Sequence, residues 1–337
     1  MKILLIGSGG WGFNHLRALA SNSEVEQIYV SDLSEDMLSR AKKHVPKVKT
    51  SKNYRDFLGE VDGVIIATPA KTHVEIAMDV ISHKKPVLVE KPLALKTEEA
   101  IKVHEMAKAH NVPLLVGHLL LYHPAVAKIK ELLDSGELGT PYYAYFQRLN
   151  LGKIRRVENV MWSLAPHDIS IVLYILKKDK PKRVRGFGKA FIQKDKDIED
   201  VAFLDIEFES GFMAHIHVSW LDPHKVRLMK LVGSEKMVVF DDMAQDEKIK
   251  VYNKGVNWDL YTSLFPYSPN VAVRYGDIFS PRIENAEPLK QEQKDFIECI
   301  KTGKEPISSG ELAVEITKIL ENAEKSMKNG GVSIELQ

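Results

Sequence analysis

The chain has 337 residues, of which 44% are hydrophobic and 28% are charged. This composition excludes a disordered or fibrous protein, and the length predicts two domains. The 47 basic and 46 acidic side chains give a net charge of +1, so no charge excess favours nucleic acid or an anionic membrane as a partner. No stretch approaches the roughly 18 consecutive apolar residues that a membrane span requires.

The single cysteine, Cys299, excludes an intrachain disulfide and fits a cytoplasmic location. It lies in an amphipathic helical pattern without basic neighbours, which predicts a buried and unreactive thiol. The apolar run after Lys2 is only four residues long and stops at Gly7, so it indicates a strand and not a signal peptide.

The first third of the chain alternates short apolar runs with helical patterns. The apolar runs predict strands that are covered on both faces: Lys2–Ile6, Gln27–Val30, Gly63–Ala67, Pro86–Val89 and Pro113–Val116. The segments between them carry apolar residues at three- and four-residue spacing and predict helices: His15–Ala20, Ser34–His44, Thr72–His83 and Thr97–His110. This alternation predicts an α/β fold in which residues 1–120 form a doubly wound parallel sheet.

The pattern changes after Gly117. One more helix is predicted at Pro124–Ser135, followed by six strand-like segments: Tyr142–Leu149, Arg183–Ile192, Val201–Glu209, Phe212–Trp220, Leu228–Val232 and Met237–Asp241. Gly211 predicts a hairpin turn with a positive φ, and a second turn is predicted at residues 233–235. Residues 121–337 are therefore predicted to form an α+β domain with a large open mixed or antiparallel sheet, closed by helices at 287–302 and 310–328.

The glycine-rich turn Gly7-Ser8-Gly9-Gly10-Trp11-Gly12 directly follows the first strand and opens the first helix. Gly7 allows the tight turn, Gly9 lets the backbone approach a pyrophosphate, and Gly12 lets the helix pack closely on its strand. The helix N-terminus then offers unpaired N–H groups to the anion. The pattern predicts a Rossmann unit that binds a dinucleotide.

Asp32 ends the next strand, twenty residues past Gly12. A carboxylate there accepts hydrogen bonds from the ribose 2′-OH and repels a 2′-phosphate, so NAD is favoured over NADP. The alternative is that Asp32 caps the helix that starts near Ser34. The predicted cofactor contacts of this region are Gly7, Ser8, Gly9, Gly10, Trp11, Gly12, Asp32 and Leu33.

Two later turns follow strands at the edge where an open α/β sheet binds ligands. One is Ala67-Thr68-Pro69 with His73 after it, and the other is Glu90-Lys91-Pro92. Two adjacent charges after a buried strand are costly unless they are used or exposed. The cofactor prediction therefore extends to Thr68, Pro69, His73, Glu90 and Lys91, with a surface ion pair as the alternative for the last two.

With these motifs in place, the sequence resembles the Gfo/Idh/MocA oxidoreductases along essentially the whole chain. Further matching segments are Gly117–Pro124 and Ala165–Asp168. The resemblance implies an NAD-dependent dehydrogenase that acts on a carbon bearing a hydroxyl group. It also implies that Lys91 lies near the substrate hydroxyl and the nicotinamide, and that His167 is the general acid/base.

These two roles agree with the chemistry of alcohol oxidation. A proton acceptor is needed as hydride leaves, and histidine titrates near neutral pH. A lysine ammonium stabilises the developing alkoxide. The alternative for His167 is a capping or core residue at the start of an apolar-periodic helix that includes Ile169 and Val172.

Ser163 departs from the family pattern, because many members carry an aspartate four residues before the histidine that His167 matches. Serine can hydrogen-bond a substrate but cannot hold an imidazolium by charge. Three alternatives follow: His167 suffices, Asp168 or another carboxylate substitutes, or catalysis is slow or absent.

A narrower resemblance points to the branch that oxidises the 3-hydroxyl of UDP-linked amino sugars. It is carried by Gly117–Pro124, Arg148–Gly152 and Asn159–Trp162, and it implies a UDP-N-acetyl-hexosamine as a candidate substrate. The substrate contacts expected on this basis are Lys91, His118, Tyr122, Arg148, Asn150, Arg155, Ser163 and His167.

Several of these residues have a structural alternative. Arg148, Arg155 and Arg156 suit a diphosphate, but ordinary surface charge is the alternative for each. Trp162 is a further candidate cofactor contact, with core packing as its alternative.

The last two predictions concern a metal ion and the oligomeric state. His215 and His217 share one face of a strand, but no third ligand accompanies them, so no metal is expected. The apolar face of the second sheet predicts a homo-oligomer, either a dimer or a tetramer.

Two other function classes stay open from the sequence. One is a hydrolase or lyase that keeps NAD bound and oxidises its substrate transiently. The other is a non-catalytic sensor of NAD or sugar, for which Ser163 is the only argument.

Overall fold

A computed structural model describes residues 1–152, 154–177, 179–256 and 273–336. Contacts divide the chain into two units. The first unit comprises Met1–His123 and Ala286–Glu321, and the second comprises Pro124–Asn285 and Asn322–Gln337.

The first unit contains a six-stranded sheet in which every pairing is parallel. Its strands are β1 (Lys2–Ile6), β2 (Gln27–Ser31), β3 (Lys49–Ser51), β4 (Gly63–Ile66), β5 (Val87–Val89) and β6 (Leu114–Val116). Their order is β3-β2-β1-β4-β5-β6, which is the doubly wound order of dinucleotide-binding domains. The helices are α1 (Gly10–Ala20), α2 (Glu35–His44), α3 (His73–Ser82) and α4 (Thr97–Ala109). The predicted doubly wound sheet is confirmed.

The first unit also takes in a helix from far along the chain. Helix α7 (Pro288–Thr302) packs on β4 at Gly63, where there is no room for a side chain. A Cβ atom built on Gly63 would lie 2.6 Å from Ile300 Cδ1 and 3.2 Å from Phe296 Cζ. Helix α8 (Gly310–Lys328) follows, and its residues up to Glu321 group with the same unit. The sequence analysis assigned both closing helices to the second domain, because the contacts of α7 with β4 join residues that are far apart in the chain.

The second unit holds a nine-stranded sheet of order β14-β13-β12-β11-β7-β10-β9-β8-β15. Its strands are β7 (Pro141–Leu149), β8 (Pro181–Lys189), β9 (Val201–Phe208), β10 (Met213–Ser219), β11 (Val226–Gly233), β12 (Met237–Asp241), β13 (Ile249–Val256), β14 (Val273–Phe279) and β15 (Ile334–Glu335). The pair β7–β10 is parallel and the other pairs are antiparallel, so the predicted mixed sheet is confirmed. Gly211 has a φ of 89°, as its turn requires.

Two further helices, α5 (Pro124–Asp134) and α6 (Val160–Ile175), belong to the second unit. Helix α6 begins seven residues before His167, where the sequence predicted its start. Asn159 caps it by accepting a hydrogen bond from the Trp162 amide at 3.1 Å. His167 therefore lies inside the helix, so the capping alternative for this residue is wrong.

The two faces of the large sheet differ in burial. Phe146 and Ile216 are fully buried on the face that α6 covers, whereas Tyr143, Phe203 and Met213 alternate with buried residues and are exposed on the other face. Within the described part of the chain, no helix combines the length and apolar character needed to cross a membrane.

Candidate active site

The glycine turn meets the steric demands that the sequence implied. Gly7 has a φ of +86°, and a Cβ atom there would lie 2.7 Å from the carbonyl oxygen of Ala67. A Cβ atom on Gly12 would lie 2.0 Å from the carbonyl oxygen of Gly7, whereas one on Gly9 meets nothing within 4 Å. The backbone is thus closely packed on its protein side and open where a ligand would approach.

Helix α1 begins at this turn, five residues earlier than the His15 start that the sequence predicted. Its N-cap residue, Gly9, makes no side-chain cap. The N–H groups of the first turn have no intrahelical acceptors and carry the positive end of the helix dipole, which suits a pyrophosphate.

Asp32 faces the glycine turn. Its Oδ2 accepts hydrogen bonds from the Ser8 amide at 2.8 Å and the Ser8 hydroxyl at 3.2 Å, and Oδ1 accepts from the Ser34 amide at 2.9 Å. The cap of α2 is Ser34, whose side chain accepts from the Met37 amide, so capping by Asp32 is not the observed arrangement. The neighbouring Leu33 is 87% exposed and offers an apolar surface beside this carboxylate.

His73 connects the two later turns. Its Nε2 lies 2.8 Å from the Thr68 carbonyl oxygen, and its Nδ1 lies 2.8 Å from that of Pro92. The imidazole is buried, so its predicted part in cofactor binding would be to hold the turn that contains Thr68 and Pro69 in place.

Glu90 is only 8% exposed, which excludes the surface ion pair considered as its alternative role. Its Oε1 accepts hydrogen bonds from the Trp11 indole and from His15 Nε2, the latter at 2.8 Å. Its Oε2 accepts from the Lys91 amide at 3.2 Å. Gly117 leaves room for the carboxylate, since a Cβ atom there would lie 3.0 Å from Glu90 Cδ. The glycine-rich helix and the Lys91 turn are therefore joined through one carboxylate.

His118 follows β6 and is buried near Lys91 in the first unit. Neither ring nitrogen has a hydrogen-bond partner among the described residues. Burial, reinforced by the positive charge of Lys91, lowers the pKa of His118 to about 3, so its imidazole is neutral at physiological pH. A neutral, unpartnered imidazole at the carboxyl edge of the sheet is suited to hydrogen-bond a ligand there.

Tyr122, another predicted substrate contact, is instead directed into the first unit. Its hydroxyl donates a hydrogen bond to Asp295 Oδ2 at 2.8 Å, and the residue is only 7% exposed. Burial and the negative charge of Asp295 raise the pKa of this hydroxyl well above its usual value. This placement favours a structural role.

Arg148 lies in the second unit, where it is paired with Asp168. Its Nε and Nη2 approach the Asp168 carboxylate at 3.0 and 2.6 Å, and both residues are buried. This fork-shaped pairing occupies the guanidinium that was expected to contact a diphosphate. It also occupies the carboxylate that was considered as a substitute for the family aspartate near His167.

Helix α6 brings Ser163 and His167 to one face, since they are four residues apart.

Trp162 is 5% exposed, and its indole lies 3.4 Å from Glu324 Oε2, which fits core packing. Asn150 accepts a hydrogen bond from Arg227 at 2.6 Å.

The remaining two arginines, Arg155 and Arg156, are exposed. They precede helix α6 in the second unit, where Arg155 Nε lies 3.6 Å from Glu158 Oε1 while the Arg155 side chain remains 58% exposed. Of the three arginines proposed for a diphosphate, these two retain an accessible guanidinium.

Other candidate sites have structural explanations. His215 Nδ1 lies 2.6 Å from Asp205 Oδ1, and His217 stacks on Phe203 at a centroid distance of 4.3 Å. Cys299 is buried, and burial raises the pKa of its thiol to about 12, which agrees with the predicted lack of reactivity.

Sequence reasoning missed His15 and Glu292. These two side chains form a cluster with Glu90, in which one ligating atom of each residue lies within 4.8 Å of the other two. His15 could have been found, because it is three residues past Gly12 and so on the first turns of α1. Glu292 had no sequence signal, since it depends on how α7 packs.

The geometry fits a dinucleotide. The open turn at Gly9, the α1 N-terminus and the Asp32 carboxylate stand together at the carboxyl edge of the parallel sheet, beside the point where the strand order reverses between β1 and β4. When NAD is bound, these groups would hold its pyrophosphate and ribose.

Comparison with known proteins agrees with this site. Residues 1–118 match the family described as "Oxidoreductase family, NAD-binding Rossmann fold", and residues 126–239 match the "GFO/IDH/MocA C-terminal domain". The fold and site therefore define an NAD-dependent oxidoreductase that acts on CH–OH groups. The chain belongs to the Gfo/Idh/MocA family.

Similar proteins include dehydrogenases of two substrate classes. The scyllo-inositol 2-dehydrogenase (NAD(+)) of Bacillus subtilis is 25% identical over 321 residues, which cover 91% of this chain and 88% of the relative. The UDP-N-acetylglucosamine 3-dehydrogenase of Acidithiobacillus ferrooxidans is 26% identical over 262 residues, covering 76% and 78% of the two chains. A solved structure of the latter enzyme superposes with a TM-score of 0.79 at 23% identity over 98% of each chain, which shows the shared fold.

Proposed function

We propose that this protein oxidises a secondary hydroxyl of a sugar, polyol or nucleotide-sugar with NAD. The observation that carries the proposal is His118, which is buried beside Lys91 at the carboxyl edge of the cofactor sheet with both ring nitrogens unpartnered among the described residues. A buried polar group of this kind is costly unless a ligand satisfies it. A substrate hydroxyl next to Lys91 would do so.

In the proposed reaction Lys91 and His167 are the catalytic pair. The Lys91 ammonium stabilises negative charge on the substrate oxygen, and the His167 imidazole accepts the hydroxyl proton. NAD, when bound, supplies the hydride acceptor.

Ser163 leaves His167 without the aspartate that many family members carry. Asp168 does not replace it, because its carboxylate is bound to Arg148. Of the alternatives considered, the proposal therefore takes the first, in which His167 works without a charged partner at position 163.

The substrate class has two candidates. UDP-N-acetyl-hexosamines are favoured by the matching segments around Gly117–Pro124 and Asn159–Trp162, and by the A. ferrooxidans relative. Inositols are favoured by the B. subtilis relative and by the burial of Arg148 in an ion pair, which removes one of the three arginines considered for a diphosphate. Neither the hydrolase or lyase alternative nor the sensor alternative gains support from the relatives.

A substrate panel tests the function. Thermal-shift measurements with NAD and each of myo-inositol, scyllo-inositol, UDP-N-acetylglucosamine and UDP-N-acetylgalactosamine should raise the melting temperature for one class, because ligand binding to the folded state stabilises it. The stabilising compound should then produce NADH, measured by absorbance. Turnover without net NADH would favour a transient oxidation, and binding without any turnover would favour the sensor.

We also propose that the outer face of the large sheet pairs with a second copy of the chain, giving a dimer or tetramer. Exposed Tyr143, Phe203 and Met213 lie on this face. The same face carries both signs of charge, as in the Arg183–Glu207 pair at 2.8 Å, so it can complement itself about a two-fold axis.

The proposed location is the cytoplasm, which the single cysteine supports.

Light scattering tests the assembly. We expect a mass of two or four times the 38.1 kDa chain, and we expect Phe203→Glu to shift it toward one chain because a buried charge at an interface is costly. Ile101→Glu, on the exposed surface of α4 in the first unit, is the matched control and should keep the assembled mass. A single-chain mass for the unaltered protein would contradict the proposal.

A further inference from the structure

The buried side of α7 carries an acid with no partner. Glu292 is fully buried, and neither carboxylate oxygen has a hydrogen-bond partner among the described residues. One of its oxygens lies within 4.8 Å of both a His15 ring nitrogen and a Glu90 oxygen. The titratable groups that face it are Glu90 from the end of β5, His15 from α1, Tyr122 from the segment after β6 and Asp295 from α7 itself.

Glu90 has the opposite environment. Three donors meet it, from the Trp11 indole, His15 Nε2 and the Lys91 amide. Gln293 fixes the proton on His15, because its amide nitrogen donates to the His15 carbonyl at 3.1 Å and faces His15 Nδ1 at 3.2 Å. Nδ1 is thus assigned as an acceptor, so Nε2 carries the hydrogen and donates it to Glu90.

Two carboxylates this close in a buried site cannot both be ionised without a large cost. Burial, together with the charges of Glu90 and Asp295, raises the pKa of Glu292 well above its usual value. A metal ion is disfavoured, because His15 Nε2 holds a hydrogen and Glu90 Oε1 already accepts two hydrogen bonds. A proton is the remaining way to neutralise Glu292.

We propose that Glu292 stays protonated in the working protein, which leaves Glu90 as the single anion of the pair and lets it act as a positioning residue for the Lys91 turn. Glu90 exerts this effect through its hydrogen bond from the Lys91 amide and through its ties to Trp11 and His15 on α1. The functional consequence rests on the proposed catalytic role of Lys91, whereas the protonation state does not.

Infrared spectroscopy tests the proton directly and needs no substrate. At neutral pH the unaltered protein should show the carbonyl band of a protonated carboxylic acid, and Glu292→Gln should remove it. Glu298→Gln, an exposed acid on the same helix, is the matched control and should retain the band. An unchanged band in Glu292→Gln would overturn the proposal, as would a stoichiometric divalent metal that is present in the unaltered protein and lost in this variant.

The positioning role is tested by nuclear magnetic resonance on protein labelled with 15N-lysine, in which the Lys91 amide is assigned by its loss in Lys91→Arg. Glu90→Gln should move this resonance, because the amide loses a charged acceptor, and Glu292→Gln should leave it in place. In the assay, Glu90→Gln should lower kcat by about 10- to 100-fold. A Lys91 amide that moves equally in both variants would overturn the proposal.

Two outcomes separate this proposal from the function on which it partly depends. If no compound of the substrate panel is oxidised, the infrared and resonance measurements still decide the state of the pair. If Glu292→Gln does not fold, Glu292→Met provides a second, apolar variant that forfeits no hydrogen bond. Failure of both variants to fold would overturn the proposal, because a protonated acid without partners has no essential contact to lose.

Discussion

Replacing Lys91 with alanine should lower dehydrogenase turnover by about a thousandfold or more, since it removes the cation that stabilises developing oxyanion charge on the substrate. NAD affinity should change far less. The pyrophosphate and ribose contacts expected at Gly9, the α1 N-terminus and Asp32 do not involve this side chain.

Turnover would be followed by NADH absorbance with the substrate found in the panel, and cofactor affinity by fluorescence titration with NADH. Lys108→Ala, an exposed lysine on α4, is the matched control and should leave both unchanged. Lys91→Arg keeps the charge but not the shape of an ammonium, so it should recover only part of the activity. Unchanged turnover in Lys91→Ala would remove Lys91 from the catalytic pair.

The sequence predicted those elements whose burial leaves a clear pattern. The central strands β1, β4 and β5 are covered on both faces and are nearly continuous in apolar residues, so they and their parallel arrangement were found. The edge strand β3 has the polar sequence Lys-Thr-Ser, and most residues of β14 are exposed, so neither carries a pattern. Edge strands are specified mainly by their neighbour in the sheet.

The candidate site divides in the same way. The glycine turn and Asp32 were predicted because their spacing follows directly from the geometry of a strand, a turn and a helix. Pairs such as Tyr122–Asp295 and Glu90–Glu292 join positions that are far apart in the chain. They were missed because they exist only after α7 has packed on the first unit.

The side chains around three predicted residues also change how those residues are understood. Tyr122 and Arg148 carry hydrogen-bonding groups that suit a substrate, and the structure gives both an interior carboxylate as a partner. His118 resembles them in sequence context but has no such partner among the described residues. Residue type therefore made all three candidates for substrate binding. Only the surrounding side chains distinguished a structural role from a candidate binding role.

Substitutions in the glycine turn should have the second large effect. Replacing Gly12 should lower stability, whereas replacing Gly9 should lower cofactor affinity. In Gly12→Ala the new Cβ atom would lie 2.0 Å from the Gly7 carbonyl oxygen, a backbone atom that cannot move without displacing the turn. We expect a loss of about 3 kcal/mol in the free energy of unfolding, and with it a melting temperature lower by roughly 6 to 12 °C.

In Gly9→Ala the new Cβ atom meets no protein atom within 4 Å, and the extended backbone at this position (φ −62°, ψ −154°) lies outside the left-handed region that favours glycine. Its melting temperature should therefore stay close to that of the unaltered protein. Its NADH affinity, measured by calorimetric titration, should nevertheless fall by about tenfold or more, because the methyl group occupies the space in which the pyrophosphate approaches the backbone. The two variants thus separate a glycine required for packing from one required for binding. Equal losses of stability in both, or full NADH affinity in Gly9→Ala, would contradict the assignment of the pyrophosphate to this turn.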